Sequence, residues 1–334
     1  MDLRVGVIGT GAIGQEHVHR LQTKLAGAKV TAVTDIDLER AERIAKKYGA
    51  RMEKTGYSLI NAPDIDAVVV TSWGPAHEKA VLEAIAAGKP VFCEKPLATT
   101  AEGCKNIVKA EIAAGKQLVQ VGFMRRYDKG YKQLKELMEQ KAYGEPLMLR
   151  CTHRNPAVDE SYDTSMAVTD TAIHEIDCLH WLIDDDYATA QVVFPKETKY
   201  THSRLKDPQL MILTTKSGIN ITIEVFVNCQ FGYDIQCEIV CEEGVVKMAE
   251  PSFPTIRSKE KLSQKLENDW KKRFIDAYDV EMQEWINDTK KGIVNGPSAW
   301  DGYVAAVTAD ALVKAQETGK AWVIKTGNCP DFYK

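Results

Sequence analysis

The first fourteen residues hold the pattern that most restricts how this chain can fold. An apolar run from Leu3 to Ile8 leads into the turn Gly9-Thr10-Gly11-Ala12-Ile13-Gly14, and a helical pattern follows. In such a strand–turn–helix unit the first glycine permits the tight turn, the second lets the backbone approach a pyrophosphate, and the third lets helix and strand pack closely. The N–H groups at the start of the helix attract phosphate. We therefore predict a dinucleotide site formed by Gly9, Gly11, Ala12, Ile13 and Gly14.

An aspartate ends the second apolar run of the chain. Asp35 lies 35 − 14 = 21 residues beyond Gly14, where a carboxylate can accept hydrogen bonds from the adenosine ribose hydroxyls. Because it would repel a 2′-phosphate, the predicted cofactor is NAD, although Arg40 leaves some room for NADP. The alternative role for an aspartate here is to cap the helix that begins near Leu38, and this role suits Asp37 better than Asp35.

Short apolar runs alternate with helical patterns as far as about residue 122. This alternation predicts an α/β fold with a doubly wound, parallel Rossmann sheet. Two of the predicted helices end at Gly49 and Gly88, because glycine accepts the left-handed conformation at a helix end. The predicted strands are 3–8, 29–35, 67–72, 91–94 and 118–122, and the predicted helices include 38–48 and 77–87.

Beyond Tyr127 the predicted strands are grouped together instead of alternating with helices. A helix to about Lys141, a strand at 147–152, an acid-rich helix at 170–182 and β-like runs through 190–247 predict an α+β domain on a large, mainly antiparallel sheet. The strand at 220–227 alternates apolar and polar residues, so one sheet face still needs a cover, which a partner subunit could supply.

We expect two domains, an NAD-binding domain at 1–123 and a substrate-binding and oligomerisation domain at 124–334. The C-terminal helix, at about 297–318, is expected to pack back toward the first domain.

Composition excludes several classes of protein. The 43 basic and 47 acidic residues give a net charge of −4 without a basic block, so neither nucleic acid nor an anionic membrane is an expected partner. There is no signal-peptide pattern and no apolar run of 18 residues, which favours a cytoplasmic protein. The eight cysteines are scattered without a C-x-x-C pair and are expected to be reduced, structural thiols.

A lysine follows the predicted strand 91–94, at the carboxyl edge where open parallel sheets bind ligands. The ammonium of Lys95, within Glu94-Lys95-Pro96, could donate a hydrogen bond to a substrate oxygen and stabilise negative charge there. As an isolated surface lysine it would have no such role.

A second candidate pair lies in the predicted helix 170–182. Asp170 and His174 are four residues apart and therefore share one helix face. Because histidine titrates near neutrality, His174 could take a hydroxyl proton while a hydride leaves the same carbon. The alternative is a solvated, stabilising pair. The spacing of His174, Asp177, Cys178 and His180 does not place them on one face, so no metal is predicted.

Three motifs occur together in this chain: 6–14 (Gly-Val-Ile-Gly-Thr-Gly-Ala-Ile-Gly), 94–97 (Glu-Lys-Pro-Leu) and 174–177 (His-Glu-Ile-Asp). On these the sequence resembles the glucose-fructose oxidoreductase and inositol dehydrogenase family. The segments 71–78, 120–128, 153–156 and 296–303 extend the resemblance over nearly the whole chain, toward the members that oxidise inositol.

The resemblance implies roles for particular residues. Lys95, Asp170 and His174 would be catalytic, and the peptide bond before Pro96 would be cis. Ser72, Trp73, Glu94 and Lys95 would join the NAD site. The polyol pocket would be formed by Lys95, Arg125, His153, Asn155, Asp170, His174 and Tyr233, and the family's habit implies a homotetramer.

Three functions remain open at this point. The resemblance implies NAD-dependent oxidation of myo-inositol at its 2-hydroxyl to 2-keto-myo-inositol (scyllo-inosose), with His174 as base. The same chemistry on D-chiro- or scyllo-inositol or on a pyranose such as glucose is the first alternative. A dinucleotide-binding sensor without catalysis is the second. Segments 51–60 and 249–270 receive no role.

Overall fold

The computed structural model describes residues 1–250 and 253–334, so part of the unassigned segment 249–270 lies outside the described residues. Contacts divide the chain into two compact units. The first unit contains Met1–Met124, Tyr278–Val307 and Thr326–Lys334, and the second contains Arg125–Ala277 and Thr308–Lys325. The units interleave along the sequence, and the division into domains 1–123 and 124–334 stays a prediction.

The first unit is built on a six-stranded, wholly parallel sheet in the order β3-β2-β1-β4-β5-β6, which confirms the predicted doubly wound fold. The strand order reverses between β1 and β4, and ligands of such folds bind at the carboxyl edge next to this point. The strands are β1 (Leu3–Ile8), β2 (Ala28–Thr34), β3 (Arg51–Met52), β4 (Ala67–Val70), β5 (Val91–Glu94) and β6 (Val119–Gly122).

Local signals set the ends of the helices that connect these strands. Asp37 caps the second helix by accepting a hydrogen bond from the Arg40 N–H, as predicted for Asp37. Gly49 and Gly88 adopt φ values of 69° and 67°, which confirms the predicted helix ends. The helices are α1 (Ala12–Thr23), α2 (Leu38–Tyr48), α3 (Gly56–Ile60), α4 (His77–Ala86) and α5 (Ala101–Ala114).

The second unit is built on a seven-stranded sheet in the order β12-β11-β7-β10-β9-β8-β15. Within it, β7 and β10 run parallel and the other neighbours are antiparallel, as the sequence predicts for a mainly antiparallel sheet. Its strands are β7 (Pro146–Arg154), β8 (Tyr187–Val193), β9 (Gln209–Thr215), β10 (Asn220–Phe226), β11 (Asp234–Cys241), β12 (Val245–Lys247) and β15 (Trp322–Val323), and β13 (Ile256–Ser258) and β14 (Lys261–Ser263) form a separate hairpin.

Burial alternates along the strands of this large sheet. In β10, Ile221, Ile223 and Val225 are fully buried, whereas the residues between them are half-buried. Apolar side chains elsewhere in the sheet, such as Val245 and Val323, are 61% and 63% exposed. The predicted half-covered face is therefore present.

The helix predicted at 170–182 is not a continuous α-helix. Residues Ala167–Ala172 form a π-helical turn, and the N–H of Ile173 donates to the carbonyl of Val168, five residues earlier. The α-helical part, α7 (Ile173–Ile183), begins only after this turn, and α6 (Lys129–Glu139) precedes it in the chain. The π-helical turn spans only Ala167–Ala172, which is shorter than the windows of about 11–18 residues over which helical periodicity is read, so the sequence pattern did not reveal it.

Two long helices complete the chain, α8 (Trp270–Lys291) and α9 (Ala299–Thr318). The second matches the predicted helix at about 297–318, but α8 has no counterpart among the predicted elements. Met282, Trp285 and Ile286 of α8 join the buried core that includes β1 and β2. No helix in the described part of the chain combines the length and the apolarity needed to cross a membrane.

Candidate active site

The glycine turn after β1 has the geometry that the sequence predicts. Gly9 has φ = 99°, and a Cβ atom added to Gly14 would lie 2.1 Å from the Gly9 carbonyl oxygen. A side chain at either position would therefore be strained or would clash. A Cβ atom at Gly11 would meet nothing within 4 Å, so this backbone is open to a ligand. The turn and the N-terminus of α1, at Ala12 and Ile13, fit a pyrophosphate.

Asp35 follows β2 and is held by the glycine turn itself. Its carboxylate accepts hydrogen bonds from the Thr10 N–H at 2.5 Å and from the Arg40 guanidinium at 2.6 Å. Burial raises the pKa of Asp35, but hydrogen bonds from Arg40, Asp37 and Thr10 outweigh it and hold the pKa below its usual value. The group is therefore an anion near neutral pH, as the NAD prediction requires.

A histidine that sequence reasoning missed joins the loops after β4 and β5. One ring nitrogen of His77 lies 2.8 Å from the Ser72 carbonyl oxygen, and the other lies 2.7 Å from that of Pro96. The peptide bond before Pro96 is cis, which confirms the prediction. Trp73 is 82% exposed beside this bridge. The bridge holds the backbone at Ser72 and at Pro96, the residue after Lys95. Only the location of His77 at the carboxyl edge could have indicated it.

The carboxylate of Glu94, the last residue of β5, is held from two sides. One oxygen lies 2.7 Å from Nε2 of the fully buried His17, and the other accepts a hydrogen bond from the Lys95 N–H at 3.2 Å. Arg20 lies 2.8 Å from Nδ1 of His17. Because a guanidinium can only donate, Nδ1 accepts and the proton sits on Nε2. A neutral His17 thus donates to Glu94, which in turn accepts from the Lys95 backbone.

In the second unit, three of the predicted pocket residues belong to one buried polar cluster. Arg125 and Glu175 form an ion pair in which both side chains are 1% exposed. His153 lies 3.0 Å from both of them, and the Tyr233 hydroxyl lies 3.5 Å from Nε2 of His153. His174 is adjacent, with its ring centroid 6.4 Å from that of His153.

The charges of this cluster stabilise each other. Burial raises the pKa of Glu175, but the charges of Arg125 and His153 outweigh burial and lower it. Burial also raises the pKa of Tyr233 to about 12, so its hydroxyl remains a hydrogen-bond donor at neutral pH. The cluster therefore holds His153 and Tyr233 in fixed positions.

The other predicted residues of the second unit, Asp170, His174 and Asn155, differ in how far they are exposed. Asp170 is exposed on the π-helical turn, and His174 is 9% exposed at the start of α7. Asn155 is half-buried, and its backbone pairs with Phe226 and Cys229.

Sequence reasoning missed the role of Glu175, although it lies inside the 174–177 motif. A second pair, Arg126 with Asp177, has the same arrangement and a bond of 2.9 Å. Two adjacent arginines thus meet two acids that are two residues apart on α7, which is a pattern that the sequence displays.

The residues that were considered as metal ligands have other partners, since Asp177 pairs with Arg126 and His180 pairs with Asp186. Within 1–250 and 253–334 no three His, Cys, Asp or Glu side chains are arranged to hold a metal ion.

Comparison with known proteins identifies the family. Residues 3–123 match the family model described as "Oxidoreductase family, NAD-binding Rossmann fold", and residues 135–324 match "Oxidoreductase family, C-terminal alpha/beta domain". The chain belongs to this oxidoreductase family, and the predictions of the family and of NAD as cofactor are confirmed.

Individual relatives match over the full length of the chain. An inositol 2-dehydrogenase of Pseudomonas syringae is 58% identical over 100% of both chains. A protein of Shouchella clausii named inositol 2-dehydrogenase/D-chiro-inositol 3-dehydrogenase is 58% identical over 100% of this chain and 97% of its own. The crystal structure of myo-inositol dehydrogenase from Lactobacillus casei, in complex with NAD(H) and myo-inositol, superimposes with a TM-score of 0.98 at 45% identity over 100% of both chains.

Replacing Asp35 with serine tests its role in cofactor choice. Losing charge-assisted bonds of about 1.5–3 kcal/mol should weaken NADH binding by about 10- to 100-fold, and removing the anion should improve NADPH binding. Fluorescence titration with both cofactors measures this. Asp37→Ser is the matched control, because serine still caps α2. Unchanged NADH affinity in Asp35→Ser would contradict the assignment.

Breaking the buried ion pair tests what it contributes to stability. Arg125→Met leaves Glu175 buried without its cation and should cost about 3–5 kcal/mol, measured by urea unfolding. Arg125→Met combined with Glu175→Met should recover much of this loss. The control is Arg150→Met, whose exposed pair with Glu238 is worth at most about 1 kcal/mol. Equal losses of unfolding free energy in Arg125→Met and Arg150→Met would contradict a larger contribution from the buried pair.

Proposed function

We propose that this chain is an NAD-dependent inositol 2-dehydrogenase that oxidises the 2-hydroxyl of myo-inositol to 2-keto-myo-inositol (scyllo-inosose). The observation that carries the proposal is the full-length, 58% identity to an inositol 2-dehydrogenase, combined with the presence of Lys95, Asp170 and His174 in this chain. The buried network that holds His153 and Tyr233 in place also suits a ring of hydroxyls, which needs donors and acceptors at fixed positions.

The proposed reaction removes a proton and a hydride from one CH–OH group. When bound, NAD supplies the hydride acceptor at C4 of its nicotinamide. His174 takes the hydroxyl proton, and Asp170, four residues earlier, supports the imidazolium that forms. The Lys95 ammonium donates to the same oxygen and stabilises the negative charge that develops on it.

We further propose that Gly9, Gly11, Ala12, Ile13, Gly14, Asp35, Ser72, Trp73, Glu94 and Lys95 bind the cofactor, and that Arg125, His153, Asn155 and Tyr233 bind the polyol together with the three catalytic residues. Arg125 is wholly buried, so it would contribute its charge and its bond to His153. A sensor without catalysis would have no use for the three catalytic residues.

A second substrate is favoured by one specific observation. The Shouchella clausii relative is named for both 2-dehydrogenase and D-chiro-inositol 3-dehydrogenase activity. D-chiro-inositol is therefore the first alternative, followed by scyllo-inositol and glucose, and pocket contacts alone would discriminate among them.

The central test is an absorbance assay for NADH formation with purified protein, NAD and a panel of myo-, scyllo- and D-chiro-inositol and glucose, with myo-inositol expected to give the highest kcat/KM. His174→Gln should lower kcat by about 10²–10⁴-fold and Lys95→Ala by about 10²–10³-fold. Lys79→Ala, at a lysine whose side chain is 85% exposed, should retain full activity. Absence of NADH formation with every member of the panel would refute the proposal.

We also propose that the protein is a cytoplasmic homotetramer. The exposed apolar residues on the large sheet of the second unit support association, because such a face is stabilised by a cover. Light scattering of the purified protein should give four times the mass of the chain, and a monomer mass would contradict the assembly.

A further inference from the structure

The π-helical turn at Ala167–Ala172 carries the proposed catalytic residue Asp170. Such turns are rare, and they occur frequently at functional sites. Compared with an uninterrupted α-helix, one extra residue in a turn rotates the residues before the turn by about 100° relative to the residues after it. The turn thus determines how Asp170 is presented relative to His174 on α7.

A buried tyrosine hydroxyl contacts both Met166, just before this turn, and Thr171, within it. The Tyr162 hydroxyl donates to the carbonyl of Met166 at 2.7 Å, and it lies 2.5 Å from Oγ1 of Thr171. A phenol has one proton, so Thr171 must donate its own to the phenol oxygen. The hydroxyl therefore joins the residue before the turn to the residue that follows Asp170.

Both partners are well placed to hold the turn. Tyr162 and Thr171 are only 6% and 4% exposed, so water cannot easily replace either bond. The segment that carries Tyr162 is itself anchored, because Asp163 accepts hydrogen bonds from the N–H groups of Ser165 and Met166 at 2.8 and 3.1 Å.

We propose that Tyr162, acting through Thr171 and the Met166 carbonyl, is a positioning residue that holds the π-helical turn and so orients Asp170 toward its role beside His174. In this proposal Tyr162 acts through the turn and not by contact with the substrate. The inference rests on the proposed function, in which Asp170 and His174 act together on the substrate hydroxyl.

The chain offers a matched control, a second tyrosine hydroxyl that bonds to the same helical segment. The Tyr187 hydroxyl donates to the carbonyl of Ile176 at 2.7 Å, and Tyr187 is 1% exposed. Its acceptor lies in the regular, α-helical part. Tyr187→Phe therefore removes the same group from the same kind of bond without affecting the π-helical turn.

The experiment compares kcat and KM for myo-inositol in Tyr162→Phe and Tyr187→Phe, with melting temperatures measured alongside. Tyr162→Phe should lose at least tenfold in kcat with NADH affinity unchanged, whereas Tyr187→Phe should stay within threefold even if its melting temperature falls as much. Thr171→Val should follow Tyr162→Phe, and Thr171→Ser, which keeps the hydroxyl, should retain activity. A Tyr162→Phe enzyme within threefold of the wild-type kcat would overturn the proposal, as would equal losses in the two tyrosine variants.

Amide hydrogen exchange gives a readout that does not depend on activity. The N–H of Ile173 is the donor of the five-residue bond and should exchange at least tenfold faster in Tyr162→Phe than in Tyr187→Phe. Equal exchange would refute the holding role. If the wild-type protein oxidises no inositol and no glucose, the proposed function fails, and the exchange comparison still decides whether Tyr162 holds the turn.

Discussion

The first unit depends on the close approach of α1 to the end of β1. No side chain fits between Gly14 and the Gly9 carbonyl, and this contact sets the helix N-terminus directly above the strand end. Thr71, at the end of β4, donates its hydroxyl to the same carbonyl at 2.7 Å. This bond therefore ties the glycine turn after β1 to the end of β4, the two strands between which the strand order reverses. Asp35, held by the Thr10 N–H, belongs to the same rigid edge.

In the second unit, side-chain positions are held by a buried network of charged groups. Placing Arg125 and Glu175 out of water is costly, and an apolar pair of similar volume would often be at least as stable. What the charged pair adds is a defined orientation for His153, whose Nδ1 faces both partners. A pocket for a polyol requires donors and acceptors at fixed positions, since each hydroxyl without a partner lowers affinity.

Local patterns in the sequence were sufficient for the first sheet, the helix ends at Gly49 and Gly88, the cap at Asp37 and the alternation along β10, because each depends on residues close together in the chain. The resemblance supplied the cis bond before Pro96. Other contacts join residues that are far apart in the chain: His77 with Pro96, 19 positions away, Arg125 with Glu175, 50 away, and His17 with Glu94, 77 away. Periodicity carries no information about such contacts. The π-helical turn was missed for another reason, because Ala167–Ala172 is shorter than the windows of about 11–18 residues over which helical periodicity is read.

The interleaving of the two units has a consequence for the order in which the protein forms. Met282, Trp285 and Ile286 complete the core of the first unit, yet they are synthesised only after the whole stretch Arg125–Ala277 of the second unit. At about 5–20 residues per second, the N-terminal sheet waits on the order of ten seconds or more on the ribosome for its last core helix. During that interval its apolar face is incomplete, which makes the nascent chain a natural substrate for chaperones.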